Sequence, residues 1–161
     1  MKKIKEILIK AGLRKVNVQI FKINNSDKLQ NLSRVYIIAV NQSKKVPLIY
    51  NSKRNIWGFP GGHIEKGESV NDAALREGVE EIKKTIKNCE SRFMLVNKID
   101  ETEDENQIIC FATIGENSTK FQDKHESVKE VVYVEIDEVI QKIGNRNLWE
   151  PIISELKNWI D

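Results

Sequence analysis

Glu77, Glu80 and Glu81 crowd into five consecutive positions. If that segment is helical, residues advance by about 100° each and the three carboxylates share roughly a third of the circumference. Like charges so placed repel by roughly a few tenths of a kcal/mol per exposed pair. A hard divalent cation such as Mg²⁺ would relieve that repulsion. It takes oxygen ligands, keeps several waters, and is commonly held by one or two carboxylates together with substrate phosphates. Two of the glutamates could hold metal and the third could take a proton from water. A solvated acidic face is the plainer reading, and for an isolated helix the preferred one.

The neighbouring segment argues for chemistry. Between Trp57 and Gly67 stand Gly58, Pro60, Gly61, Gly62 and Gly67, in a chain with only 8 Gly and 3 Pro. Such density marks a loop with special backbone geometry. Ser69 or Asn71 can cap the helix that follows, whose apolar stripe is Leu75, Val79, Ile82 and Ile86. Read together, the spacing is G-x5-E-x7-R-E-x-x-E-E, from Gly62 through Glu68 and Arg76-Glu77 to Glu80-Glu81. This pattern resembles the Nudix box, the signature of the Nudix hydrolases. Trp57-Gly58-Phe59-Pro60-Gly61 is similar to the lead-in common in that family, and the box-like segment runs to about Lys84.

The resemblance implies metal coordination by Glu80 and Glu81, with the Gly61 carbonyl as a further ligand. It makes Glu77 either a metal ligand or the base that activates water, with Arg76 orienting it. Glu68 would tie the loop to the helix, and Gly62 would be structural. Independently of any family, Arg76 and Glu80 are four apart and could pair on an ordinary helix. The family also places a further glutamate ahead of a late strand. Glu126 is the candidate and Glu130 the alternative, with His125 beside it as a phosphate contact or a solvated loop residue. His63 falls at a variable position of the box and borders the site.

Three positions depart from the family pattern. Gly78 stands where an aliphatic residue or alanine is usual, at a cost of about 1 kcal/mol relative to alanine; a close approach to a sheet would compensate. Lys83 and Lys84 replace the usual glycine and apolar residue, which predicts that the helix continues through Ile86. Lys84 would then lie on the glutamate face, touching substrate phosphate or pairing with Glu80. For substrate recognition, the Arg54 guanidinium could bind phosphate and Trp57 could stack a base. Phe59 reads as core.

These groups must be positioned by strands and helices around them. Ile4, Ile7, Leu8 and Ala11, followed by Gly12, predict a short amphipathic helix with Lys2, Lys3, Lys5 and Lys10 outward. Alternation at Val16, Val18 and Ile20 predicts a strand, and Val35 to Val40 a more buried one. Asn41 to Lys45 reads as a hairpin connection into Val46 to Tyr50, with Pro47 hinting at a sheet edge. Further strands are predicted at 93–99, 107–114 and 131–136, the first two joined by the acidic stretch 100–105. Helices are predicted over 137–143 and 151–160, with Pro151 in a first turn. The Nudix resemblance implies an α+β fold, an α/β/α sandwich with a mixed β-sheet between helices. Residues 1–30 read as an N-terminal extension packed on a domain of residues 31–161.

Composition bounds the function. In 161 residues, 26 Lys+Arg offset 24 Asp+Glu for a formal charge of +2, which lacks the cation surplus that bulk nucleic-acid binding needs. RNA contact through the basic N-terminal helix is the weaker reading, since a run this short is normally a solvated face. No apolar stretch approaches the twenty or so residues of a membrane span. Charged Lys5, Glu6 and Lys10 interrupt any signal-like segment, so a cytoplasmic location is expected. Cys89 and Cys110 read as ordinary buried thiols. The resemblance implies a Mg²⁺-dependent pyrophosphohydrolase, with Mn²⁺ as an alternative metal. Its substrate would be a small-molecule nucleoside diphosphate linked to another moiety. A Nudix-fold nucleotide-binding module with little catalysis is the alternative, motivated by Lys83 and Lys84. The N-terminal extension could support a homodimer.

Overall fold

The apolar run predicted as the most buried strand lies deep in the molecule. The computed structural model describes the whole chain except residues 12–13, 25–26, 99–104 and 121–127, together with the side chains of 11, 14 and 129. In chain order the elements are β1 (Lys2–Ala11), β2 (Arg14–Lys22), β3 (Leu32–Val40), β4 (Val46–Asn51), β5 (Ile56–Gly58) and β6 (Gly61–His63). Helix α1 (Val70–Ile82) follows, then β7 (Lys84–Lys98), β8 (Glu105–Asn117) and β9 (Val128–Val134). A 3₁₀ turn at Ile136–Glu138 leads into α2 (Val139–Ile143) and α3 (Arg146–Ile160).

The strands form two sheets, one of six in the order β1-β2-β7-β8-β3-β6 and one of three in the order β5-β4-β9. Within the large sheet β3 and β8 run parallel, and the other pairs are antiparallel. Alternation along β3 divides the core. Val35, Ile37 and Ala39 pack with Met94, Ile108 and Ala112 against Ala73 and Ala74 of α1. Ile38 and Val40 face the opposite way with Phe93, Ile109 and Phe111, onto Val46 and Leu48 of the small sheet and Leu148, Ile152 and Leu156 of α3. The expected mixed sheet between helices is therefore present, with a second, smaller sheet beside α2 and α3.

Several local expectations are corrected. The N-terminal segment is a strand, not a helix: β1 pairs with β2, which pairs in turn with β7 and so extends the large sheet. Ile7 and Ile9 turn toward the core while Leu8 is 65% exposed, a period of two that the sequence satisfies as well as a helical period. Asn41 to Lys45 is a turn, but it joins strands of different sheets and closes no hairpin. Pro47 lies on the central strand of the small sheet. Because β5 pairs only with Ile49, Tyr50 and Asn51, β4 has a single strand neighbour, β9, at Pro47. Pro151 lies inside α3, which begins five residues earlier because Leu148 upstream joins the core with Ile152 and Ile153. Cys89 is half-buried and Cys110 buried, both as free thiols.

The helix after the glycine loop also stops earlier than predicted. It ends at Ile82, and Lys83 takes the left-handed conformation, φ 57° and ψ 33°, with its N–H on the carbonyls of Gly78 and Val79. Lys84 opens β7 opposite Asn117, and Ile86 is sheet. The expected compensation at Gly78 is present: a β-carbon there would lie 2.3 Å from Ile86 Cγ1. Strand pairing of the next residues, rather than a glycine, terminates the helix.

Candidate active site

Ser69 starts α1 with its hydroxyl accepting from the Asp72 N–H at 3.1 Å, the cap expected of serine before a helix. Ala73 and Ala74 hold one face of α1 to the large sheet, and Val79 is buried as well. Its acidic face meets β6, the outer strand beside β3. Gly61 and Gly62 make that approach possible. Gly61 has φ +149°, and a β-carbon there would lie 2.1 Å from the Val35 carbonyl oxygen. A β-carbon on Gly62 would lie 2.2 Å from Glu77 Oε1. Even a methyl group would therefore expel the Glu77 carboxylate from its seat.

Arg76 organises the cluster. Its Nε donates to Glu68 Oε1 at 2.9 Å, Nη2 to Glu68 Oε2 at 3.0 Å and to the His63 carbonyl at 2.8 Å, and Nη1 to Glu77 Oε1 at 2.6 Å. Glu80 Oε2 lies 3.7 Å from the same Nη1. Glu68 also accepts from the Glu65 N–H at 2.9 Å, so it ties loop to helix. These bonds hold the Glu68 carboxyl below its ordinary value, chiefly through Arg76. Glu77 moves the other way: burial raises it, and the negative charge of Glu80 adds to that, while Arg76 and Arg34 oppose. Only 7% of Glu77 is exposed. A carboxylate lifted in this way is a better proton acceptor than a solvated one.

Glu81 accepts from the Gly61 N–H at 2.8 Å. Glu77, Glu80, Glu81 and Gly61 all line one cavity of about 400 Å³ between the two sheets, a volume suited to a small ligand. Among the described residues, no three acidic, His or Cys side chains converge as a ready metal cage. Glu77 and Glu80 are turned toward Arg76 and Glu81 toward the Gly61 N–H. The donor chemistry nonetheless fits a hard divalent cation: three carboxylates against one arginine leave negative charge and oxygen lone pairs on a single cavity wall.

The rest of the cavity wall is aromatic and basic. Trp57 packs against Tyr50 at 5.3 Å, and Lys142 Nζ lies 4.3 Å from the Trp57 ring centroid. Trp149 contacts Phe59 at 4.9 Å and Tyr36 at 6.5 Å, edge-on in both pairs. Phe59 is core, at 4% exposure. Arg54 and exposed His63 line the cavity too.

Lys83 and Lys84 do not. The Lys83 ammonium donates to the Glu80 main-chain carbonyl at 2.7 Å and Lys84 to Asn117. Neither pairs with a site carboxylate. Glu126 and His125 lie outside the described residues. Glu130 is on β9 opposite Tyr50. Sequence reasoning missed Arg34, Tyr36 and Trp149, which line the cavity from β3 and α3; each is an ordinary residue of a strand or helix until the sheets bring it there.

A family model described as the NUDIX domain matches residues 16–156. The chain belongs to the Nudix family. Among curated Nudix relatives, a Bacillus subtilis protein provisionally named an 8-oxo-dGTP diphosphatase is 37% identical over 46 residues, 29% of this chain and 31% of that protein. The uncharacterized Nudix hydrolase YvcI of Bacillus subtilis is 42% identical over 50 residues, 31% of this chain and 32% of that protein. Each match thus spans about a third of the relative's length. The Bacillus subtilis pyrophosphohydrolase BsRppH shares the Nudix fold at a TM-score of 0.72 and 20% identity, over 98% of this chain and 96% of that one. No helix among the described residues is long and apolar enough to cross a membrane.

Proposed function

We propose that this Nudix protein is a divalent-metal-dependent pyrophosphohydrolase. Its substrate would be a nucleoside diphosphate linked to another moiety, of the nucleoside triphosphate, dinucleoside polyphosphate, ADP-ribose or nucleotide-sugar type. The observation that carries this reading is the seat of Glu77, a buried carboxylate with a raised pKa. Arg76 pins it beside Gly62, and Glu80 and Glu81 lie on the same cavity wall. Supporting it in kind, BsRppH is a pyrophosphohydrolase and a Nudix domain of Shewanella oneidensis NrtR is complexed with ADP ribose.

Glu80 and Glu81, with the Gly61 carbonyl, are the residues that would hold Mg²⁺ or Mn²⁺, once Glu81 turns from the Gly61 N–H. When bound, such a cation neutralises charge on phosphate oxygens. Glu77 accepts the proton of the water that attacks phosphorus, and Arg76, fixed by Glu68, keeps its carboxylate in place. Trp57 and Arg54 offer a stacking face and a cation to the rest of the substrate. The two free thiols suit the reducing cytoplasm, the location we propose. The binding-module alternative loses its motive, because neither Lys83 nor Lys84 reaches the carboxylates.

The test is a panel of nucleoside triphosphates, diadenosine polyphosphates, ADP-ribose and nucleotide sugars, incubated with Mg²⁺, Mn²⁺ or EDTA in ¹⁸O-labelled water. Metal-dependent release of a nucleotide or phosphate carrying the label is expected. No turnover of any member with either metal would overturn the assignment.

A further inference from the structure

Three arginines line the cavity: Arg34, Arg54 and Arg76. Arg76 is consumed by Glu68, Glu77 and the His63 carbonyl. Arg54 is exposed, on the turn between β4 and β5. Arg34 is different. It lies on β3 with one neighbour on each side, His63 of β6 and Gln107 of β8. Its Nε is buried and has no hydrogen-bond partner. No ion pair joins it to a carboxylate among the described residues, and its guanidinium lies 6.0 Å from the Tyr36 ring centroid.

A buried N–H left unmade carries a desolvation cost that folding alone does not recover. An arginine kept in that state inside a ligand-sized cavity has an acceptor to meet. Position indicates its chemistry. Arg34 precedes Val35, the residue opposite Gly62, and Gly62 is where the Glu77 carboxylate sits. Two residues after Arg34 on the same face of β3 comes Tyr36, which meets Trp149. Arg34 thus adjoins both the carboxylate seat and the aromatic wall. A substrate with its reacting phosphorus at Glu77 and its nucleoside on the aromatic wall, which includes Trp57, Tyr36 and Trp149, brings its remaining phosphate within reach of this guanidinium. The planar fork suits two oxygens of one phosphate, which a point charge does not match.

We propose that Arg34 binds the phosphate that stays with the nucleoside, and so positions the substrate between the carboxylates and the aromatic wall. The proposal rests on the hydrolase reading for which phosphate is attacked, but phosphate binding itself can be measured without turnover.

Wild type, Arg34→Gln and Arg34→Lys would be titrated calorimetrically in EDTA with inorganic pyrophosphate, ADP and GDP, and with adenosine and guanosine. Circular dichroism and melting would verify that each variant is folded. Pyrophosphate and nucleotide affinity should fall roughly tenfold to a hundredfold in Arg34→Gln, with nucleoside affinity unchanged. Arg34→Lys should recover part of the loss. An equal loss for nucleosides and nucleotides would make Arg34 a reader of the base or a support for Tyr36, and would overturn the proposal. So would unchanged affinity in Arg34→Gln, or no binding of pyrophosphate or either nucleotide by wild type at millimolar concentration. A protein that binds these probes through Arg34 yet turns over no member of the substrate panel would retain this proposal and lose the hydrolase reading.

Discussion

Two clusters in this molecule combine arginine with glutamate, with opposite balances. At the cavity, Arg76 faces Glu68, Glu77 and Glu80, so one cation serves three carboxylates. At the far end of the large sheet, Glu155 of α3 accepts from Lys22 of β2 at 2.7 Å and from Arg92 of β7 at 2.8 Å. Arg92 also meets Glu90 at 3.5 Å. Two cations and two carboxylates close that account, and the cluster joins a helix to two strands. The first cluster keeps negative charge in a half-closed cavity, where a cation and its anionic ligand can complete it. Excess charge held in place separates a site from a structural link.

The largest effect is expected at Glu81, which shares the cavity wall with the unbalanced cluster and adds to its negative charge. Glu81→Gln removes a carboxylate without changing its size, and turnover should fall on the order of 10³-fold under saturating Mg²⁺, with the melting temperature nearly unchanged. Steady-state kinetics on the best panel substrate measures it; unchanged turnover would reduce this cluster to a solvated acidic face. Gly62→Ala comes next. Its β-carbon would sit 2.2 Å from Glu77 Oε1, so the carboxylate must move, and kcat should fall about 10²-fold while circular dichroism stays native.

Glu155→Gln should do the reverse, lowering stability and sparing kcat. Lys22 above all, with a lesser contribution from Arg92, holds the Glu155 carboxyl below its ordinary value against the opposing effect of burial. Its folded pKa lies below the unfolded one, so its contribution is present above about pH 4.3 and is lost as pH falls through the folded value. Water reaches the carboxylate and screens the pair, which limits that contribution to about 1 kcal/mol. Urea denaturation at pH 7 and pH 3 should show wild type and variant converging at the lower pH. The smallest effect is at Lys83. Replacing a left-handed lysine by glycine should raise stability by roughly 0.5–1 kcal/mol in the same assay, without altering turnover, because Lys83 is not part of the cavity wall.

How far the site was legible follows the range of the interactions. Gly62, Glu68, Arg76, Glu77, Glu80 and Glu81 fall within twenty residues, and helical periodicity alone places the last four near one another. In the folded chain Arg76 bonds both Glu68 and Glu77. The N-terminal strand was not legible, because Ile4, Ile7, Leu8 and Ala11 satisfy a helical period while Ile7 and Ile9 satisfy a period of two, and the pairing of β2 with β7 decides between them. Lys83 hid the end of α1, since the stop depends on β8 being there to pair with Lys84. Pro47 suggested an edge; the shortness of β5 explains how proline fits a central strand.

By itself the sequence determined the family, the capped helix, the glycine loop and the acidic face, because each is written in spacings shorter than one loop and one helix. Tertiary structure decided which cavity those groups enter and what else lines it. Arg34 and Tyr36 share one face of β3, but Trp149 stands far along the chain, and nothing local joins it to them. Parallel pairing of β3 with β8, antiparallel pairing with β6, and the packing of α3 on the opposite face bring them to one wall. Residues of one turn are bound by backbone geometry, whereas a cavity wall is set by which faces of distant elements must be buried together.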